Sequence, residues 1–182
     1  DLFPQFIDLL NQRSRESGLS LRLKGIVGDM GNLPFEQESL DLIWSEGAIY
    51  NIGFKQGIQL WKPFLKPGGW LAVREATWFT EHRPQEIEQF WRDAYPEIDT
   101  VEQKLKQLEE AGYRHISSFT LPDNCWTTHF YQPQQEAQRF FLERYPDSPT
   151  AEMLVANQRH EAELYGKYNA YYGYTFFVAQ RP

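Results

Sequence analysis

Four short stretches of the 182-residue sequence carry side chains whose types and spacing could do chemistry. Gly28-Asp29-Met30-Gly31-Asn32 sets a carboxylate between glycines. Ser45-Glu46-Gly47, with Tyr50 and Asn51 close behind, follows the apolar run 40–44. Glu75 follows the run 70–73, with Trp78 three residues on. Asn124-Cys125-Trp126-Thr127-Thr128-His129-Phe130-Tyr131 is polar and aromatic together, which is unusual for a plain connection. An ionised carboxylate only accepts, so Asp29 suits hydroxyl or amino groups. Glu46, Glu75 and His129 are candidate bases, His129 because imidazole titrates near neutrality. A carboxylate and an indole, as in Glu75 and Trp78, could hold a cationic or polar molecule. Each has a plainer alternative: Asp29 a turn residue bonding its own backbone, Glu46 a helix-cap or surface carboxylate, Glu75 a solvated strand end, Tyr50 a packed ring, His129 a satisfied structural histidine. His82, His115 and His160 show no metal-ligand spacing, and Cys125 has no evident base partner, so no metal is expected.

Elements that would position these residues follow from periodicity. Phe3, Phe6, Ile7 and Leu10 keep a helical stripe over 3–17, ended by Gly18. Residues 21–27 read as a short strand stopped by the Gly28–Asn32 turn formers, and 40–44 as a second strand. Phe54, Ile58, Trp61 and Leu65 mark a helix that Pro63 should kink. Lys66-Pro67-Gly68-Gly69 reads as a turn, and 70–73 as a strand covered on both faces. Ile87, Phe90, Trp91 and Ala94 form a helical stripe. Thr100 with Gln103 matches a capping box, and Val101, Leu105 and Leu108 face inward. A strand over 115–121, helices over 133–145 and 150–172, and a last strand over 174–180 complete the chain. Strands alternating with helices argue for a mostly parallel α/β sheet.

Composition narrows the function. With 18 basic and 25 acidic side chains the formal charge is −7, which opposes a phosphate backbone, so nucleic acid is a poor partner. No apolar stretch approaches the ~20 residues that span a bilayer, so no membrane partner is expected. One cysteine excludes an internal disulfide and a thiolate-rich zinc site, and a reducing cytoplasm is the default location. Aromatics at 16% supply a large core or a ring-lined pocket.

Val27-Gly28-Asp29-Met30-Gly31-Asn32-Leu33-Pro34-Phe35, the run 40–47, Leu65-Lys66-Pro67-Gly68-Gly69-Trp70-Leu71 and Leu108-Glu109-Glu110-Ala111-Gly112-Tyr113 together resemble class I S-adenosylmethionine-dependent methyltransferases. The resemblance covers about residues 1–121 and the final strand. It implies a Rossmann-like α/β fold in the strand order 3-2-1-4-5-7-6, mostly parallel with an antiparallel seventh strand. The cofactor, S-adenosyl-L-methionine, would lie across the carboxyl ends of the strands. Asp1 would then meet the ribose hydroxyls, Asp29 the adenine amino group and Met30 the adenine face. Ser45, Glu46 and Gly47 would flank the sulfonium, and Tyr50, Asn51, Trp78 and Trp126 would shape a pocket for a small-molecule acceptor. The family's glycine-rich loop has no counterpart, since no G-x-G pattern occurs. Residues 1–182 therefore read as one methyltransferase domain, truncated at its N-terminus, with a helical insertion over 133–172. On that reading the chain alone should bind cofactor poorly and could self-associate through an open sheet edge. The alternatives are a non-catalytic, methyltransferase-like interaction domain and a nucleotide-binding oxidoreductase. The missing dinucleotide fingerprint weighs against the latter equally, and the Leu65-Lys66-Pro67-Gly68-Gly69 strand entry favours methyl transfer.

Overall fold

The computed structural model describes all residues from Asp1 to Pro182. Its elements are α1 (Pro4–Glu16), β1 (Leu40–Glu46), α2 (Phe54–Trp61), β2 (Leu65–Trp78), α3 (Gln85–Ala94), β3 (Asp99–Thr100), α4 (Val101–Glu110), β4 (Arg114–Thr120), α5 (Gln132–Arg144), α6 (Pro149–Tyr168) and β5 (Tyr172–Gln180). The sheet runs β1-β2-β5-β4, and β3 pairs with the far end of β2. β1 and β3 are parallel to β2, whereas β5 is antiparallel to both β2 and β4. β4 therefore runs with β2, and the last strand alone is reversed, as the resemblance implies.

Alternation along β2 and β5 divides the core between the two faces of the sheet. Leu71, Val73, Phe177 and Ala179 meet Phe54, Ile58 and Trp61 of α2 and Leu108 of α4. On the opposite face Ala76, Trp78 and Tyr172 meet Ile87 and Trp91 of α3 and Leu164, Tyr165 and Tyr168 of α6. The tyrosine-dense end of α6 thus contributes packed rings. Pro63 stops α2 rather than kinking it, since the chain tightens into a 3₁₀ turn at Lys62–Phe64. At α4, the Thr100 hydroxyl accepts from Gln103 N at 3.2 Å, which is the expected cap.

Three expectations are corrected. Residues 21–27 form no strand. A strand needs a ladder partner, and here α1 satisfies this backbone instead: the Asn11 amide both donates to Gly25 O and accepts from Gly25 N, and Ser14 Oγ donates to Leu23 O. Lys66-Pro67-Gly68-Gly69 is a bulge within β2, because the register passes from Leu40↔Leu65 to Leu42↔Trp70. Gly68 there takes φ +78°, a conformation that favours glycine. Finally, β2 continues to Trp78, so Glu75 is not a strand end. No helix is long and apolar enough to cross a membrane.

Candidate active site

β1 pairs with β2 up to Glu46↔Arg74, and β3 resumes at Asp99↔Thr77. Glu75 and Ala76 lie in the interval, where one edge of β2 has no neighbour. A crevice opens there, at the carboxyl end of β1 and beside the unpaired stretch of β2, near where open α/β sheets bind ligands. Two cavities lie against the 3₁₀ turn Ile49–Asn51 and its flanks, the second of them in this crevice. The first, of about 790 Å³, is a groove between α1 and the 24–35 segment, with Asp1, Asp29, Met30, Asn51 and Ile52 in its walls. The second, of about 520 Å³, is walled by Gly47, Tyr50, Glu75, Trp126, His129 and Glu161 among others.

In the groove, Asp29 Oδ1 accepts from Gly31 N at 2.8 Å, the turn contact of its plainer reading. Only one carboxylate oxygen is used, and the side chain is exposed. Met30 packs on the core, and its carbonyl accepts from Trp61 Nε1 at 2.8 Å, which ties the turn to α2. A Cβ at Gly28 would meet nothing nearer than the Pro34 ring at 3.8 Å, which leaves room for a flat group beside the backbone. Asp1 Oδ1 accepts from Phe3 N at 2.9 Å, at the start of α1.

Behind the wall of the second cavity, against Glu75, stands a group that sequence reasoning missed. Lys104 of α4 is fully buried, and its ammonium lies 4.0 Å from the Glu75 carboxylate, itself 2% exposed. The ammonium donates to Glu97 O at 2.7 Å and lies 4.5 Å from the centre of the Phe54 ring. Burial pushes Glu75 up to about 7, partly offset by the Lys104 charge and the Tyr95 hydroxyl. Burial likewise lowers Lys104. Glu75 Oε1 has no hydrogen-bond partner. Across the cavity, Glu161 accepts from Tyr131 OH at 3.0 Å, and burial raises its pKa. Trp126 stacks between Tyr174, at 4.0 Å, and Tyr165, at 4.9 Å, and its indole N–H is unpartnered. Cys125, Trp126, His129 and Phe130 reach the cavity from around a π-helical turn, Thr127–Tyr131, whose wide winding shows in the Tyr131 N→Trp126 O bond of 2.8 Å.

The structure therefore brings Asp1, Asp29, Met30 and Asn51 to one cavity, and Gly47, Tyr50, Glu75, Trp126 and His129 to its neighbour. Three expected site residues lie in neither. Strand alternation turns Glu46 onto the opposite face from Ser45, where it accepts from Trp44 Nε1 at 2.7 Å and lies 3.7 Å from Arg74. Ser45 is buried, with its hydroxyl unpartnered. Trp78 is a core ring, 3% exposed, under the Arg83 guanidinium at 4.2 Å. Lys104 could have been noticed, since it falls on the same helical stripe as Val101, Leu105 and Leu108.

These features define the class I methyltransferase fold: the reversed last strand, the order of the four main strands and the crevice at their carboxyl ends. A family profile described as "Methyltransferase domain" matches residues 1–73. Among curated proteins nothing matches significantly. Solved structures do. YjhP from E. coli superposes with a TM-score of 0.83 at 22% identity, over 100% of this chain and 75% of that one. A SAM-dependent methyltransferase from Thiobacillus denitrificans, in complex with S-adenosyl-L-homocysteine, gives 0.80 at 21%, over 100% and 74%. The [4+2]-cyclase SpnF gives 0.75 at 23%, over 97% of this chain and 62% of SpnF. The chain thus spans under two thirds of SpnF's length. At these identities the likeness establishes the fold, and one fold hosts more than one chemistry.

Proposed function

We propose that this chain is the catalytic part of an S-adenosylmethionine-dependent methyltransferase acting on a small organic molecule. One observation carries the reading: the 3₁₀ turn Ile49–Asn51 and its flanks line both cavities, Asn51 and Ile52 the groove, Gly47 and Tyr50 the neighbouring pocket. A cofactor and an acceptor on the two sides of that turn would be close neighbours. S-adenosylmethionine, when bound, supplies a methyl group on a sulfonium, and its thioether leaving group needs no acid. The groove suits the adenosine end. Asp29 offers an unused carboxylate oxygen to the adenine amino group, Met30 an apolar surface to the ring and Asp1 an acceptor for ribose hydroxyls. The residues of the second cavity hold the acceptor atom in line, which supplies most of the rate enhancement in such a displacement. Glu75 and His129 are the candidates to take a proton where the acceptor carries one. The acidic surface and the ring-lined cavity favour a compact acceptor over nucleic acid. One free cysteine suits a reducing, cytoplasmic setting.

Affinity of the 182-residue chain for cofactor should be weak, because the chain has no G-x-G turn to receive the amino-acid tail. Equilibrium dialysis with labelled S-adenosylmethionine tests the assignment. Binding should be measurable in the millimolar range, and Asp29→Ala should reduce it by about tenfold, the worth of one charge-assisted hydrogen bond. Equal binding by the variant would contradict the assignment. A second reading, a non-catalytic interaction domain, draws support from an exposed apolar strip on the sheet: Leu42, Trp44, Trp70 and Phe119. Absence of any cofactor binding would favour it.

A further inference from the structure

The geometry points to an amine, bound as its ammonium ion, as the molecule that the cavity beside Glu75 receives. That this molecule is the methyl acceptor rests on the reading above; that the cavity selects an ammonium does not. Glu75 is 2% exposed, lines the cavity, and has an oxygen without a hydrogen-bond donor. That oxygen, Oε1, is the one turned toward Lys104, 4.0 Å away, so the pair leaves this buried carboxylate short of a charge-assisted hydrogen bond, which a donor arriving in the cavity would supply. Lys104 does not fill this role: it stands 4.0 Å away, makes its short bond to Glu97 O and lies outside the cavity wall. Glu161 brings a second carboxylate to the same space from α6, and one of its oxygens is engaged by Tyr131. The remaining wall is largely aromatic, with Tyr95, Trp91, Trp126 and Tyr174. Ring faces attract cations, and most strongly where water is excluded.

An anion fits badly. The one guanidinium in the wall, Arg74, lies 4.4 Å over the Tyr174 ring and 3.7 Å from Glu46, which draws its charge toward that carboxylate although its Nε has no partner. An anion would also face the buried Glu75 carboxylate and the half-buried Glu161. A neutral molecule would add no charge beside Glu75, which has Lys104 only at 4.0 Å, or beside Glu161, which has only the Tyr131 hydroxyl. The volume of about 520 Å³ admits an amine carrying a ring or short chain.

The same carboxylate can make such an amine reactive. One N–H bond of the ammonium breaks, and its proton moves to a Glu75 carboxylate oxygen. The electron pair stays on nitrogen as the lone pair that attacks. One cation and one anion thereby become a neutral amine and a neutral acid, and the proton later leaves Glu75 for solvent. Burial has already raised Glu75 to about 7, which makes it a far better proton acceptor than an ordinary carboxylate.

The test is calorimetric titration of the 182-residue chain, without cofactor, with phenethylamine, 2-phenylethanol and phenylacetate. Phenethylamine should bind at least about tenfold more tightly than either, the discrimination expected of a desolvated cation site. Glu75→Gln and Glu161→Gln should each remove most of that preference and leave the alcohol unchanged. Equal or tighter binding of the alcohol or the acid overturns the proposal, as does an undiminished preference in both variants. If Glu75→Gln does not fold, the unaltered protein still decides. Between about pH 6 and pH 8 amine affinity should rise as Glu75 ionises, while alcohol affinity stays flat. Glu75 is faced by Lys104, Tyr95 and Glu97, and Arg74, Glu161 and His129 line the same cavity. A pH profile that vanishes in His129→Gln assigns the titration to the histidine and overturns the role given to Glu75. Loss of amine preference with cofactor binding intact sinks this inference alone. Amine preference without cofactor binding sinks the methyl-transfer reading alone.

Discussion

At the scale of single residues, the buried pair Glu75 and Lys104 bears on stability, and Glu75 is the proposed proton acceptor. Breaking a buried ion pair from one side leaves a charge without compensation and costs about 3–5 kcal/mol. Lys104→Met should therefore lower the unfolding free energy by about that amount in urea denaturation, and adding Glu75→Gln should restore a good part of it. Glu75 also makes stability depend on pH. Its folded pKa is raised to about 7, so between the ordinary carboxylate value and about 7 the folded state holds a proton that the unfolded state has released. Its contribution to stability is thus fully present below that window and is lost as pH rises through it. Denaturation midpoints measured from pH 4.5 to pH 7 should decline more steeply in the unaltered protein than in Glu75→Gln. The sequence makes the position of Glu75 legible, because an apolar run leads up to it. Its burial was not legible, because β2 runs on to Trp78 and Glu75, on the face of Val73, is met there by Lys104 of α4. Lys104 was passed over for a related reason. Its four-carbon stem packs like an apolar side chain while its ammonium finds a backbone carbonyl, and periodicity counts it as polar.

Among the elements, the short turn Ile49–Asn51 matters most, since the two cavities meet across it. Its seat is Gly57 of α2, where an added Cβ would come within 2.5 Å of Ile49 Cγ1. Gly57→Ala should therefore push the turn out and destabilise the fold by about 1–3 kcal/mol, despite the better helix propensity of alanine. A rise in stability by thermal denaturation would show that the turn is not packed as described. Elements marked by long periodic runs, α1, α3, α4 and β5, were legible to within a residue or two. Thr100 announced the start of α4 in the same way, through the chemistry of its cap. The segment 21–27 was misread because alternation alone cannot say whether a neighbouring strand exists. The bulge at Lys66–Gly69 was misread because Pro-Gly-Gly serves turns and bulges equally. The π-helical turn around His129 leaves no periodic trace at all, and only its mixture of polar and aromatic residues marked it.

For the whole molecule, the reversed last strand was legible through family resemblance, since composition and periodicity carry no strand order. The sheet also has an exposed apolar strip, in which Trp44 is 61% and Phe119 51% exposed, with both rings packed edge or face against Phe176. Together with the unpaired edge of β1, this strip should drive self-association at high concentration. Sedimentation should show a concentration-dependent shift that Trp44→Lys suppresses; a monomer at all concentrations would remove that expectation. The central claim is that strand ends converge on a crevice with a nucleoside groove on one side of the Ile49–Asn51 turn and an acceptor cavity on the other. Amide and indole chemical shifts of the isotopically labelled chain test it most directly. Millimolar S-adenosylhomocysteine should move the amides of Gly28, Gly31, Asn51 and Ile52, and subsequent phenethylamine should move the Trp91 and Trp126 indoles and the Gly47 amide. Shifts scattered over unrelated faces, or none at the groove, would contradict the account.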